Sequence, residues 1–133
     1  ANYPESQIHV YGRSLGTTFA TYVASKNNPK NLTLETPFYS IEDEAKSRFK
    51  WLPVKRLLKY KMPTYLHIDD VSCPVTIYHG TDDDVVAYEN GQKLFEKVST
   101  SSKEFITIPD GGHNNLVNFK EYTETIDRVL EKE

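Results

Sequence analysis

The chain has 133 residues, 38% of them apolar and 26% charged, which suits one domain with a modest hydrophobic core and argues against disorder. Sixteen lysines and arginines stand against 19 acidic residues, so the net charge of −3 gives no electrostatic basis for binding nucleic acid. The single cysteine, Cys73, excludes an intrachain disulfide and a cysteine-built metal cluster, and no apolar run approaches the ~18 residues of a membrane span. Residues 1 to 7 lack the basic-then-apolar plan of a signal peptide and resemble the end of a helix entering a strand.

That first strand is expected over Ile8–Tyr11, where β-branched and aromatic residues cluster. It runs straight into Gly12-Arg13-Ser14-Leu15-Gly16 and then into a helical pattern over Thr17–Ser25, with Phe19, Ala20, Val23 and Ala24 at helical spacing and Asn27-Asn28-Pro29 as its stop. A glycine-flanked serine is a weak motif alone. Between a strand and a helix it gains meaning, because a nucleophile elbow needs a sharp strained turn with small neighbours that let strand and helix pass closely. Such a turn would lift the Ser14 hydroxyl above the strand ends and aim the Leu15 backbone N–H, at the helix N-terminus, toward a developing oxyanion.

A second strand is expected over Leu32–Glu35, followed by Thr36-Pro37-Phe38 and by Tyr39, which either lines a pocket or packs structurally. Residues 40–66 then break the rhythm. Between Ala45 and Lys61 there are seven basic residues (Lys46, Arg48, Lys50, Lys55, Arg56, Lys59 and Lys61) and no acidic one, interleaved with apolar and aromatic side chains. The segment reads as surface helices with a solvated basic face, split near Pro53; the functional alternatives are a lid or a surface that meets acidic lipid or an anionic substrate. His67 falls in a polar linker, Tyr-Leu-His-Ile-Asp-Asp, and Cys73 reads as a buried packing residue.

The third strand, Val75–His79, ends in His-Gly-Thr-Asp-Asp-Asp-Val-Val, and the fourth, Phe105–Ile108, in Pro-Asp-Gly-Gly-His-Asn-Asn-Leu. Helical patterns follow over Tyr88–Val98, with Leu94, Phe95 and Val98 on one side, and over Phe119–Leu130, with Tyr122, Ile126, Val129 and Leu130. Strands alternating with helices give an α/β fold with a mainly parallel sheet of about four strands and flanking helices. A serine needs an imidazole base and a carboxylate to orient it. Both come after later strands, as an aspartate of the triple run and His113, in the chain order Ser, Asp, His of the α/β-hydrolase triad. His9 and His79 lie within strands and read as core or supporting histidines, and no ligand spacing suggests a metal.

These motifs resemble the Bem46-like group of α/β-hydrolase-domain serine hydrolases, whose members typically show GRSLG, ESPF-like, HGTxDxxV and GGHN-like segments; here they stand as GRSLG, LETPF, HGTDDDVV and GGHNN. The resemblance implies Ser14 as nucleophile, His113 as base, Asp83 as acid and the Leu15 amide as oxyanion donor, with Asp82 and Asp84 as turn residues and Asp82 capping the loop. Asp84 is the competitor for the acid role. It further implies a small acyl ester or thioester substrate and no cofactor. The alternatives are a peptidase or amidase on the same triad, or an inactive fragment serving as a binding module. A complete hydrolase of this family carries about eight strands with the elbow after the fifth. Residues 1–133 therefore read as a partial domain, its C-terminal half. Its elbow strand is expected to pair with an N-terminal half or a second copy, and the second oxyanion donor should come from elsewhere. The setting expected is cytoplasmic or membrane-peripheral, the membrane contact being made through the basic insert at about 40–66.

Overall fold

The structure, a computed structural model, describes residues 2–40 and 63–131. The basic stretch between Ala45 and Lys61 therefore falls wholly outside the described residues. Four strands, β1 (His9–Arg13), β2 (Asn31–Glu35), β3 (Val75–Gly80) and β4 (Lys103–Ile108), form one parallel sheet in sequential order. Each expected strand is present and is extended at one end by one or two residues where the ladder continues beyond the apolar run; β1 starts at His9 and not at Ile8. Parallel neighbours require crossovers, and these carry helices: α1 (Gly16–Lys26) between β1 and β2, the short α2 (Thr64–Ile68) before β3, and α3 (Tyr88–Glu96) between β3 and β4, with α4 (Lys120–Glu131) last. Single turns of 3₁₀ helix occupy Glu5–Gln7 and Leu116–Asn118.

Alternation along the strands divides the core into two layers. Leu32, Leu34, Val75 and Ile77 point to one face and pack with Ala20, Ala24, Ile68, Leu94 and Val98. Tyr78, Ile106 and Ile108 point to the other, against Leu116 and Val129, with Phe119, Tyr122 and Ile126 at its margin. The helix α4 is tied on by the buried Asn31, whose side-chain amide donates to the Val129 carbonyl at 2.8 Å.

Three expectations are corrected. The sheet-facing stripe of α1 is Thr17, Ala20, Thr21 and Ala24, while Phe19 and Val23 are 55% and 46% exposed. Small side chains face inward because α1 lies directly on β1: a Cβ at Gly12 would stand 2.6 Å from Ala20 Cβ and 2.7 Å from the Gly16 carbonyl oxygen. His67 is not in a linker but in α2, which buries Thr64 and Ile68; Thr64 Oγ1 pairs with Thr18 Oγ1 at 2.7 Å, and Tyr65 stacks on Tyr39 at 4.9 Å. Leu130 turns outward from α4, 38% exposed. Among the described residues β1 is one edge of the sheet, and no helix is long and apolar enough to cross a membrane.

Candidate active site

Parallel strands gather their carboxyl ends at one side of the sheet, where ligands of open α/β folds bind. Ser14 follows β1 there with φ of 50°, a left-handed backbone that a residue bearing a Cβ adopts only under constraint. The constraint is visible. Ser14 N–H donates to the Glu35 carbonyl at 2.9 Å, extending the β1–β2 ladder by one bond, and the Ser14 carbonyl accepts from Thr17 N–H at 3.0 Å and Thr17 Oγ1 at 2.6 Å, starting α1. Leu15, the residue just before α1, places its amide at that helix's N-terminus.

Asp83 leaves β3 in the turn after Gly80. Its Oδ1 accepts from Val85 N–H at 2.9 Å and Val86 N–H at 2.8 Å, so it is Asp83 and not Asp82 that caps this loop; Asp82, exposed, accepts from the Thr81 hydroxyl at 3.2 Å. An aspartate two and three residues before free amides closes such a turn upon itself, which helps to fix the carboxylate. His113 leaves β4 after Gly111 and Gly112 and meets it, with Nδ1 2.9 Å from Asp83 Oδ2 and Nε2 2.8 Å from Ser14 Oγ. Of the three aspartates only Asp83 is buried, at 6% exposure.

His79, fully buried at the end of β3, stands behind the carboxylate with Nε2 3.0 Å from the Val86 carbonyl and 3.3 Å from Asp83 Oδ2. Both atoms are acceptors, so Nε2 carries the proton and is shared between them. Burial pushes the Asp83 carboxyl upward, but hydrogen bonds from His113, His79 and the Val86 amide outweigh it and hold the group well below the usual carboxylate range. Asp83 is thus an anion throughout the neutral range.

The loops bearing Asp83 and His113 are joined backbone to backbone: Thr81 N–H donates to the Ile108 carbonyl at 3.1 Å and Asp82 N–H to the Gly111 carbonyl at 2.9 Å. A Cβ at Gly80 would overlap the Gly111 carbonyl group, and backbone cannot yield as a side-chain tip can. Gly80→Ala is therefore expected to destabilise the fold by about 2 kcal/mol or more through overpacking, and thermal unfolding would measure it; an unchanged midpoint would contradict the close approach.

Two residues of the site surroundings escaped the sequence reading. Arg13 reaches from β1 across to the histidine loop, and Glu35, buried at the end of β2, lies beside it with Arg13 Nε 3.4 Å from Glu35 Oε1. Among the described residues no group of histidine, cysteine, aspartate and glutamate is arranged to hold a metal ion.

Comparison with known proteins agrees with this architecture. A family model described as serine aminopeptidase, S33, matches residues 54–118. A putative α/β hydrolase of Acanthamoeba polyphaga mimivirus is 31% identical over 112 residues, 84% of this chain and 41% of its own length. The α/β hydrolase domain-containing protein aho-3 of Caenorhabditis elegans is 28% identical over 130 residues, 98% of this chain and 38% of its own. A lysophosphatidylserine lipase of Danio rerio is 30% identical over 112 residues, 71% of this chain and 29% of its own. The chain thus spans about two-fifths of the length of the first three of the curated relatives it matches. Among solved structures, a Pyrococcus furiosus esterase shares the fold with a TM-score of 0.75 at 21% identity, over 98% of this chain and 55% of the esterase. An acylaminoacyl peptidase of Pyrococcus horikoshii does so at 0.74 and 13%, over 97% and 25%. A parallel sheet, a strained serine between strand and helix, and these likenesses converge: the chain has the fold of the α/β hydrolases and resembles them in sequence.

Proposed function

We propose that the protein is a serine hydrolase that cleaves carboxylic ester or thioester bonds through an acyl-enzyme intermediate. The observation that carries this reading is the continuous line from Ser14 Oγ through His113 to Asp83, with 2.8 Å and 2.9 Å between successive groups. A carboxylate can only accept, so the His113 proton resides on Nδ1 and Nε2 is left to accept the Ser14 hydroxyl proton. In the proposed reaction Ser14 Oγ attacks the acyl carbonyl while His113 takes its proton, and Asp83 stabilises the imidazolium that forms. The tetrahedral oxyanion collapses as His113 returns the proton to the leaving alkoxide or thiolate. Water then repeats the sequence on the acyl-enzyme. The Leu15 amide serves the oxyanion as a backbone donor. The chemistry calls for no cofactor.

The family model's description and the acylaminoacyl peptidase fold favour a second reading, in which the same groups cleave an amide. Matched acyl esters and amides separate the two, since the leaving group is the only difference. Open pairing groups on β1, together with exposed Tyr11, Phe19 and Tyr22 nearby, extend the proposal to a further strand that continues the sheet at this edge.

The test is a fluorophosphonate probe, which reacts only with an activated serine. Labelling is expected on the peptide that contains Ser14 and is expected to vanish in Ser14→Ala. Undiminished labelling of that variant would end the assignment.

A further inference from the structure

We infer that Arg13 is a positioning residue for His113, braced by Glu35 and clipping the strand that delivers the nucleophile to the loop that delivers the base. The inference rests on the serine-hydrolase reading of the site and assigns a task to two residues which that reading leaves idle.

Arg13 immediately precedes Ser14, so its backbone belongs to the elbow while its side chain is free to reach sideways. One guanidinium nitrogen, Nη2, donates to Asn114 Oδ1 at 2.5 Å and faces the His113 carbonyl at 3.4 Å. Nε of the same planar group is 3.4 Å from Glu35 Oε1. The register puts Arg13 directly opposite Glu35 at the last rung of the β1–β2 ladder, so the brace is built into the sheet. Glu35 is in turn held by the Tyr11 hydroxyl, which donates to Oε2 and lies 3.3 Å from the Tyr122 hydroxyl of α4.

The need for such a clip follows from the loop. His113 stands beyond two glycines, the residues that restrict a chain least. Asp83 holds the imidazole from one side, and the loop is tied ahead of the ring by Asp82 N–H to the Gly111 carbonyl and by Gly112 N–H to Asn115 Oδ1 at 2.7 Å; Arg13 adds the tie at His113 and Asn114 themselves, which helps Nε2 stay within reach of Ser14 Oγ. Displacement of a reacting group by about 1 Å costs on the order of 10²-fold in rate. A guanidinium suits the task because its donors lie in one rigid plane and address two acceptors in a fixed geometry; an ammonium on its flexible stem has no such planar fork. Burial pushes the Glu35 carboxyl upward from its ordinary value, with His113 nearby opposing the rise.

The experiment measures ester turnover and the second-order rate of fluorophosphonate labelling in the full chain for wild type, Arg13→Ala, Arg13→Lys, Asn114→Ala and the Arg13→Ala/Asn114→Ala double variant. Arg13→Ala is expected to lower both kcat and the labelling rate by about 10- to 100-fold with KM within about twofold, because misplacement of the base harms the reaction and not substrate binding. Arg13→Lys is expected to recover only part of this loss. Asn114→Ala, on an exposed residue, should move the same quantities in the same direction without touching Glu35. The double variant should be no slower than Arg13→Ala, since both changes cut one connection. Wild-type labelling rates in Arg13→Ala, or losses that multiply in the double variant, would overturn the inference while leaving the serine-hydrolase reading intact. Should Arg13→Ala fail to fold, wild-type rates in both Arg13→Lys and Asn114→Ala would overturn it equally. Absence of labelling in the wild type would instead remove the underlying reading, and this inference with it.

Discussion

Ser14→Ala and His113→Ala are each expected to abolish nearly all turnover, by about the same factor and on the order of 10³ or more, and the double variant is expected to be no slower than either. Equality is the informative part. With Ser14 Oγ 2.8 Å from His113 Nε2, the proposed mechanism makes the hydroxyl a competent nucleophile only while the imidazole takes its proton, and leaves the imidazole nothing to activate once the hydroxyl is gone. Two groups that act through one proton transfer cannot contribute independent factors. Residual turnover would come from substrate binding and backbone donors such as the Leu15 amide, neither of which these changes touch. Steady-state kinetics on a short-chain ester, with circular dichroism to verify folding, decides the matter. A His113→Ala variant that retained a tenth of wild-type activity would place the base elsewhere.

Local signals carried the architecture further than they carried the packing. Strands such as Val75–Gly80 are short apolar β-branched runs bounded by turn residues, and each is present at the expected place. The elbow was legible because its requirement is local: strand, small residue, serine, small residue, helix. What could not be read depends on which element lies against which. In α1, Phe19 and Val23 repeat with the same period as Ala20 and Ala24, so spacing alone could not say which pair faces the sheet; the answer lies in the closeness of α1 to Gly12. The helix α2 has five residues, too few for a periodic pattern, and is made by burial of Thr64 and Ile68. Glu35 and Arg13 are 22 positions apart, and the one signal that joins them is the parallel register of β1 and β2, which becomes available only when the strands are known to pair.

The run Asp82-Asp83-Asp84 poses a related problem, since three identical side chains in a row cannot be told apart by residue type and only the resemblance to the HGTxDxxV motif singles out Asp83, whereas the fold treats the three differently. Asp83→Asn is expected to slow turnover by about 10³- to 10⁴-fold, while Asp82→Asn and Asp84→Asn, both exposed, leave it within about twofold. The asparagine would keep the shape and its oxygen could still accept from Val85 and Val86. The other carboxylate oxygen, which faces His113 Nδ1 and His79 Nε2, would become an NH₂ donor opposite two ring N–H groups. The imidazole of His113 answers by moving its proton to Nε2, where it points at Ser14 and can no longer receive the hydroxyl proton. Stability offers a second, independent readout. Because hydrogen bonds hold the folded-state Asp83 carboxyl below its unfolded value, against the upward push of burial, its contribution is fully present above the unfolded pKa of about 3.9 and is lost as pH falls through the folded one. The denaturation midpoint of wild type should therefore exceed that of Asp83→Asn at pH 7 by a margin that shrinks below about pH 4. Comparable activity losses in all three asparagine variants, or a stability margin indifferent to pH, would contradict the assignment of the acid to Asp83.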